Sequence, residues 1–397
     1  MNYLADKSYL AVKPEATPGT PVIPDNFIPL ISESIRVNPN ISADRRFKGL
    51  TWKSDDVVRG TRLIEGDLVI HADPDSIGHM LNMVYEKGVT TGSAPVGYTH
   101  PFTVGEGKHY SIEISRGDFA QRIWGVRGEN LKIAFQDNKM IATLSIKALG
   151  QFNTASLAVA LTGVGMTSAV LKQIYDTRPT DGLVAGDVIR IGAVDITLTS
   201  VNADGVTVGF AATDVTASIG DPVFLVAQTP SYSAIVEPLY LGNTLVGVAA
   251  TSALADTAAA TKATATPCYN LAMDFKNNLL DAIASGATGA AALLNQVREA
   301  SAEISRLFEN PTQYQKWIEY VKQAITMITK GTYIKSDNTT WEQLTVKLHK
   351  VKLISNEQPL DVGQYLFDKQ KFEALYDSVD GKAIEVNLVN RTAGTEY

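Results

Sequence analysis

One cysteine, Cys268, stands in a chain of 397 residues. That excludes an internal disulfide framework, so the fold has to be held by its core. Positive charge is also in short supply: 35 Lys and Arg face 42 Asp and Glu, for a formal net charge of −7. A protein that grips nucleic acid by neutralising phosphates is basic, and this one is not. Long apolar runs are missing too. The stretch "SLAVALTGVGM" is too short and too rich in Thr and Gly to span a bilayer. The opening "MNYLADKSYLAVKPEATPGTPVIP" has no basic segment followed by an apolar one, so no signal peptide is read there. The expectation is a protein made and kept in a cytosol, or one that leaves by a route needing no signal.

Catalytic signatures are absent in the same way. The five histidines, His71, His79, His100, His109 and His349, have no ligand spacing, and there is no "HExxH". No "GxSxG" and no Cys–His constellation occurs. The Gly-rich "SGATGAAA" lacks the Lys-Ser/Thr of a phosphate loop, and "RGD" at 116–118 reads as a hairpin corner. The triplets "NIS", "NTT" and "NRT" match glycosylation acceptors but carry no meaning without a secretory signal. No carboxylate pair sits in an apolar context that would split its pKa values. The expectation is a protein that is not an enzyme and holds neither cofactor nor metal.

What is present is alternation. Hydrophobic residues make up 45% and charged residues 19%, a globular balance, and the length favours two or three domains. "SIRVN", "RLIEGDLVIHA", "HYSIEISR" and "NLKIAF…MIATLSIKAL" place apolar residues at period two, with "QDNK" as the turn between the last two. Helical spacing is scarcer. It shows at Ile77, Met80, Leu81 and Val84, and again at Tyr314, Trp317, Ile318 and Val321. A third helix is expected over "DKQKFEALYDSV".

The first two helices each follow a strand and an Asx-Pro pair, Asp73-Pro74 and Asn310-Pro311. Asp or Asn suits an N-cap and Pro the position after it. The four apolar positions recur at one offset, 314 − 77 = 237. Upstream, "SIRVNPNI" resembles "AMDFKNNL"; downstream, both halves finish in paired strands, "MIATLSIKAL" and "KAIEVNLVN". The chain therefore reads as one supersecondary plan built twice. That decides how to take "HADPD" at 71–75, which offers an imidazole and two carboxylates. The position of His71 is filled by Leu307 or Phe308 in the second half, so the segment reads as a strand end and a helix cap, not a metal site.

Between the halves the texture changes to Ala, Thr, Val and Gly. "LVAGDVIRIGAVDITLTSVNADGVTVGF" holds short strands with "NADG" as a hairpin turn, and "DPVFLVAQ" reads as a closing strand. "GNTLVGVAATSALADTAAATKATAT" reads as a connector with one or two strands. The expected organisation is a first module at 1–155, an inserted small all-β domain with connectors at 156–235 (core about 178–230) and a second module at 236–397. The fold class is mainly β: β-sandwich or barrel modules, each with a flanking α-helix.

The order of features is familiar. A Gly-Thr in "EATPGTPVIP" precedes "ISESIRVNPN", then Arg with Gly in "RRFKGL…RGTRLIEGDL", then an acidic-Pro corner and a helix, and the chain ends in "KAIEVNLVN". This order resembles the major tail tube proteins of long-tailed bacteriophages. The resemblance covers both halves, about 290 residues, and leaves out the central insert.

It implies a structural virion protein made in the host bacterial cytoplasm. Its modules close into rings whose strands form a continuous inner β-barrel, and stacked rings form the tail tube through which DNA leaves the capsid. The implied partners are further copies of the chain, as a trimeric ring with pseudo-sixfold symmetry and as stacked rings. Tail terminator and distal tail proteins and a tape-measure protein are implied too. Double-stranded DNA passes through the lumen without specific binding, and no membrane is involved. Related readings are the tube of a phage-derived bacteriocin or secretion system, a minor virion ring protein, or a β-rich adhesin or carbohydrate-binding protein.

The strand before each helix fits such a lumen. One face carries Glu65, Asp67, Val69 and His71 in the first half, and Glu299, Ser301, Glu303 and Ser305 in the second, opposite apolar residues. Glu65, Asp67, Glu299 and Glu303 are the expected lumen-lining residues, since an acidic wall repels DNA and lets it slide. Two long loops are the expected ring-stacking elements. The first, "NISADRRFKGLTWKSDDVV", contributes Arg45, Arg46, Lys48, Trp52, Lys53, Asp55 and Asp56; the second is "LDAIASGATGAAALLNQ".

Overall fold

The computed structural model describes residues 8–40, 60–94, 96–173, 178–232, 237–285, 289–309, 311–334, 340–358, 365–393 and 397, and the backbone of 42–43 and 57–58. The principal strands of the first half are β1 (Tyr9–Pro14), β2 (Arg36–Asn38) and β3 (Leu63–His71), then, after helix α1 (Ser76–Val84), β4 (Gly97–Thr103), β5 (Tyr110–Ser115), β6 (Phe119–Gln136), β7 (Lys139–Ala148) and β8 (Gly150–Phe152). The middle of the chain contributes β9 (Thr154–Leu157), β10 (Leu161–Lys172), β11 (Val188–Ile191), β12 (Val194–Val201), β13 (Thr207–Ala217) and β14 (Pro222–Val226). The second half holds β15 (Thr244–Ala249), α2 (Ser252–Ala259), β16 (Asn270–Lys276), β17 (Glu299–Leu307), α3 (Thr312–Ile318), β18 (Lys322–Tyr333), β19 (Trp341–Glu357), β20 (Phe367–Leu375) and β21 (Ile384–Asn390). The protein is mainly β, and none of its described helices is long and apolar enough to cross a membrane.

Period-two alternation does most of the building. In β7, Met140, Ala142, Leu144, Ile146 and Ala148 turn inward while the residues between them face out. The turn from β6 into β7 is Asp137-Asn138, both at positive φ (50° and 66°), the geometry that a two-residue hairpin with right-handed strand twist requires.

Seven strands of each half repeat in their pairing order; β4 stands outside the repeat and pairs with β21 of the second half. β2, β3, β7 and β6 pair in that order, and so do β16, β17, β20 and β19. On the other side of the core, β8–β6–β5–β1 is matched by β21–β19–β18–β15. Slips of register recur at matching places. β6 slips against β7 between Gly128 and Asn130, and β19 against β20 between Leu353 and Ser355. β5 slips against β6 between Tyr110 and Ile112, and β18 against β19 between Gln323 and Ile325. A bulge bends a strand at one chosen residue, so two bulges at matching positions argue for one plan used twice. Asn40 and Asn278, each two residues beyond β2 or β16, share a positive φ (43° and 48°). One core runs through both halves.

Four expectations are corrected. "DKQKFEALYDSV" forms strand β20, not a helix: Asp368, Gln370 and Phe372 point inward and Lys369, Lys371 and Glu373 outward. The inward positions are polar, with Arg306 lying 3.6 Å from Asp368 and Gln358 donating to it, so apolar periodicity gave no strand signal. The strand equivalent to "MIATLSIKAL" is accordingly β20, and "KAIEVNLVN" (β21) matches the short β8. The supposed connector after the insert contains α2, capped by Thr251 and lying on β15 at Gly247, where a side chain would strike the Ala255 carbonyl. Finally, α3 ends at Ile318, so Val321 is not on its face, and only Gln313 in it is buried.

Helix α1, by contrast, is buried over all nine residues. A β-carbon at Gly128 of β6 would lie 2.5 Å from Val84 and 2.9 Å from Leu144, so the helix seats against bare backbone. The matching residue in β19 is Leu353, which carries a side chain there and is itself buried. Asp73 caps α1: its carboxylate accepts the amides of Asp75 (3.0 Å) and Ser76 (2.8 Å). His71 points out from the end of β3. Asn310 lies outside the described residues.

The insert is a closed barrel. β14 pairs with β9 and β11, and the ring completes through β9–β10, β10–β13, β13–β12 and β12–β11. It begins at Thr154, ahead of the expected core at 178, because β9 and β10 belong to it; β10 exposes Val164 and alternates poorly. The barrel has its own core, centred on Ile189, Ile191, Val208 and Leu225. It joins the first half where β14 pairs with Phe119–Ala120 of β6.

A buried charge cluster fastens that joint. Arg122, 1% exposed, meets Glu113 of β5 at 2.6 Å and Asp187 of the barrel at 2.6 Å. Tyr9 donates to Glu113, and the Gln228 amide donates to Tyr9. Burial alone would lower the Arg122 pKa, but the two carboxylates raise it above its ordinary value.

Candidate functional site: an open sheet with matching edges

β6 of the first half pairs with β16 of the second, antiparallel, from Asn130↔Lys276 to Ala134↔Ala272. This junction fuses the two four-stranded blocks into one eight-stranded sheet, β2–β3–β7–β6–β16–β17–β20–β19. Asn277, just past β16, secures it. Its main-chain N–H donates to Glu129 O (2.7 Å), and its side chain donates to Val84 O (3.0 Å) and Gly128 O (2.9 Å). Those carbonyls belong to the last turn of α1 and to the β6 bulge, where neither helix nor ladder supplies a donor.

The ends of this sheet are open among the described residues. β2 pairs only with β3, and β19 beyond Lys352 pairs only with β20. By the repeat, β2 is the counterpart of β16, and this part of β19 is the counterpart of β6. The free edges are thus the counterparts of the two edges already joined inside the chain. Around the free β19 edge, apolar groups stand in solvent: Ile318 is 55%, Tyr320 71% and Ile354 44% exposed. At the matching place in the first half, α1 is buried and Asn277 covers the bulge.

The expected lumen residues share one face of this sheet. Asp67, Glu299 and Glu303 are exposed, and Glu65 is partly so. Asp67 accepts from Ser145 (2.6 Å), Glu65 lies 3.3 Å from Arg36, and Glu303 lies 3.4 Å from Lys371. The face is not uniformly acidic, which revises the expected acidic wall. Alternation in the neighbouring strands brings Lys132, Lys276, Lys369 and Lys371 to the same side. Reading β3 and β17 alone missed them.

The expected stacking residues Arg45, Arg46, Lys48, Trp52, Lys53, Asp55 and Asp56 lie outside the described residues. The bases of the two loops match, with Ser42↔Val58 in the first and Leu280↔Leu294 in the second. The second loop packs sideways on the first half. Buried Arg127 donates to Leu293 O (3.0 Å) and Asn295 Oδ1 (2.9 Å), and Lys147 donates to Leu279 O (2.7 Å) beside Glu129 and Asp281. Burial holds the Arg127 pKa below its ordinary value. Asn277, Arg122 and Arg127 escaped sequence reading, since a single polar residue carries no periodicity. No protein-family model and no curated protein matches the chain.

Proposed function

We propose that the chain is a structural protein that assembles head to tail into rings, and that the rings stack into a hollow tube conducting DNA, as in the phage tail tube proteins it resembles. One observation carries this reading: an eight-stranded sheet made of two equivalent blocks, ending on the counterparts of its own internal junction. Such ends form a heterologous contact, the kind that closes into a ring when the rotation per unit fits. Three chains would place six blocks around one axis. The face bearing Glu65, Asp67, Glu299 and Glu303 lines the lumen in this arrangement, and its interleaved lysines keep it near charge balance. DNA has few counterions to release on such a wall and slides. Electron microscopy of the purified protein tests the proposal. Rings or long hollow tubes are expected; monodisperse globules at all concentrations would overturn it.

A further inference from the structure

The internal junction supplies a template for the contact between chains. In β6–β16, Asn130 stands opposite Lys276, Leu131 opposite Phe275 and Lys132 opposite Asp274. The counterparts of Asn130, Leu131 and Lys132 in β19 are Ser355, Asn356 and Glu357, and those of Lys276, Phe275 and Asp274 in β2 are Asn38, Val37 and Arg36. We propose that β19 of one copy pairs antiparallel with β2 of the next in this register, Ser355 opposite Asn38 and Glu357 opposite Arg36, and that the reversed polarity of this charge pair tells the two junctions apart. The proposal rests on the ring reading in taking the partner to be a second copy of the chain.

The chemistry fits in four places. Glu357 and Arg36 are both exposed, and the Arg36 guanidinium stands on the same face of the sheet as Glu65, 3.3 Å away. Inside the chain the pair is Lys132 on the β6 side and Asp274 on the β16 side; between chains it is an anion on the β19 side and a cation on the β2 side. Pairing like blocks therefore brings like charges together: β6 against β2 sets Lys132 opposite Arg36, and β19 against β16 sets Glu357 opposite Asp274. Directly opposed like charges oppose strand pairing, so the two junctions alternate.

Next to the ladder, Asn277 N–H bonds Glu129 O inside the chain. Its counterpart between chains is Pro39, which has no N–H to give, and the matching acceptor, Ile354 O, already takes the Trp317 indole N–H at 2.9 Å. Donor and acceptor have been removed together, and an apolar ring would meet the exposed Ile354. Lastly, the Asn356 side-chain amide is buried at the free edge with no hydrogen-bond partner in the single chain.

The test uses the full chain. Arg36→Glu and Glu357→Arg each place like charges at the contact, on side chains exposed enough to leave folding intact, which circular dichroism checks. Each raises the concentration needed for assembly at low salt by roughly tenfold, and the double variant restores it. In a Cys268→Ser background, Asn38→Cys with Ser355→Cys gives a ladder of disulfide-linked chains on oxidation, while the diagonal pair Asn38→Cys with Glu357→Cys does not. Tubes that form normally from both single variants and give no ladder would overturn the register and leave the tube reading standing. A ladder with charge-dependent association but no rings or tubes would uphold the contact and sink the tube reading. Soluble monomers with no ladder would remove both.

Discussion

Asn277→Ala is the sharpest probe of the joint between the halves. Asn277 is 2% exposed, and its side chain serves two carbonyls, Val84 O at 3.0 Å and Gly128 O at 2.9 Å. Alanine keeps the main-chain bond to Glu129 and removes both side-chain bonds. Each typical bond is worth about 1 kcal/mol net, and a buried carbonyl left without a donor adds about 1–3 kcal/mol. Allowing for partial relaxation, the cost is roughly 2–4 kcal/mol at the junction. A chain with two separate cores does not have to unfold in one step, so local opening is a better readout than a global midpoint. Hydrogen exchange at Leu131 and Ile133 should speed by roughly 30- to 1,000-fold, with the barrel strands unchanged. Asn277→Asp should be worse, because it turns an acceptor toward two carbonyls. If the alanine variant exchanges as the wild type does, or if Asp equals Ala, the two carbonyls are not what holds the joint.

Two further perturbations test the interior. Arg122→Met leaves Glu113 and Asp187 buried without their cation and should cost about 3–5 kcal/mol, whereas adding Glu113→Gln and Asp187→Asn should recover a large part; a single variant with unchanged exchange in β14 and β6 would refute the fastening role. His79, packed between the rings of Tyr110 and Tyr397, has its pKa pushed down by burial to about 4. Its folded pKa lies below the unfolded one, so the unfolded chain takes the extra proton. Stability is then full above about pH 6.5 and falls through the window down to about pH 4, by an amount on the order of 3 kcal/mol. Denaturant midpoints from pH 7.5 to 4.5 measure this, and His79→Gln should flatten the slope, although His100 and His109, also lowered by burial, keep part of it.

What could be read in the sequence was what repeats at short range. The β6–β7 hairpin, the Asp73 cap and the resemblance of "SIRVNPNI" to "AMDFKNNL" all rest on neighbouring residues, and β2 and β16 do occupy equivalent places with Asn40 and Asn278 alike in φ. Strand β20 was misread because its inward positions are Asp368 and Gln370, whose burial depends on Arg306 from another strand. The expected insert at 156–235 spans the barrel closely, but its expected core at about 178–230 left out β9 and β10, because β10 pairs with β13 far along the chain. Alternation within β3 and β17 does put Glu65, Asp67, Glu299 and Glu303 on one face of the sheet. The lysines beside them come from strands whose adjacency only the fold decides, so the charge of the face could not be read strand by strand.

The repeat also explains why a barrel can sit in the middle of the chain without disturbing the sheet. β14 meets β6 at Phe119–Ala120, while the junction with β16 begins at Asn130. Ten residues of strand at about 3.4 Å each put roughly 34 Å of contour between the two contacts. β6 is long enough to serve both, with its first part in the sheet shared with β5 and β8 and its second part in the eight-stranded sheet. β19, its counterpart, uses the same two-part design to hold β18 and β21 at one end and to leave an edge free at the other. An exposed edge is a liability that proteins usually blunt with charge or shortness. Here both edges are short and carry one charge each, Arg36 and Glu357, of opposite sign. Blunting alone needs no complementarity, so the opposite signs, reversed from the pair already inside the chain, argue that these edges are kept for each other.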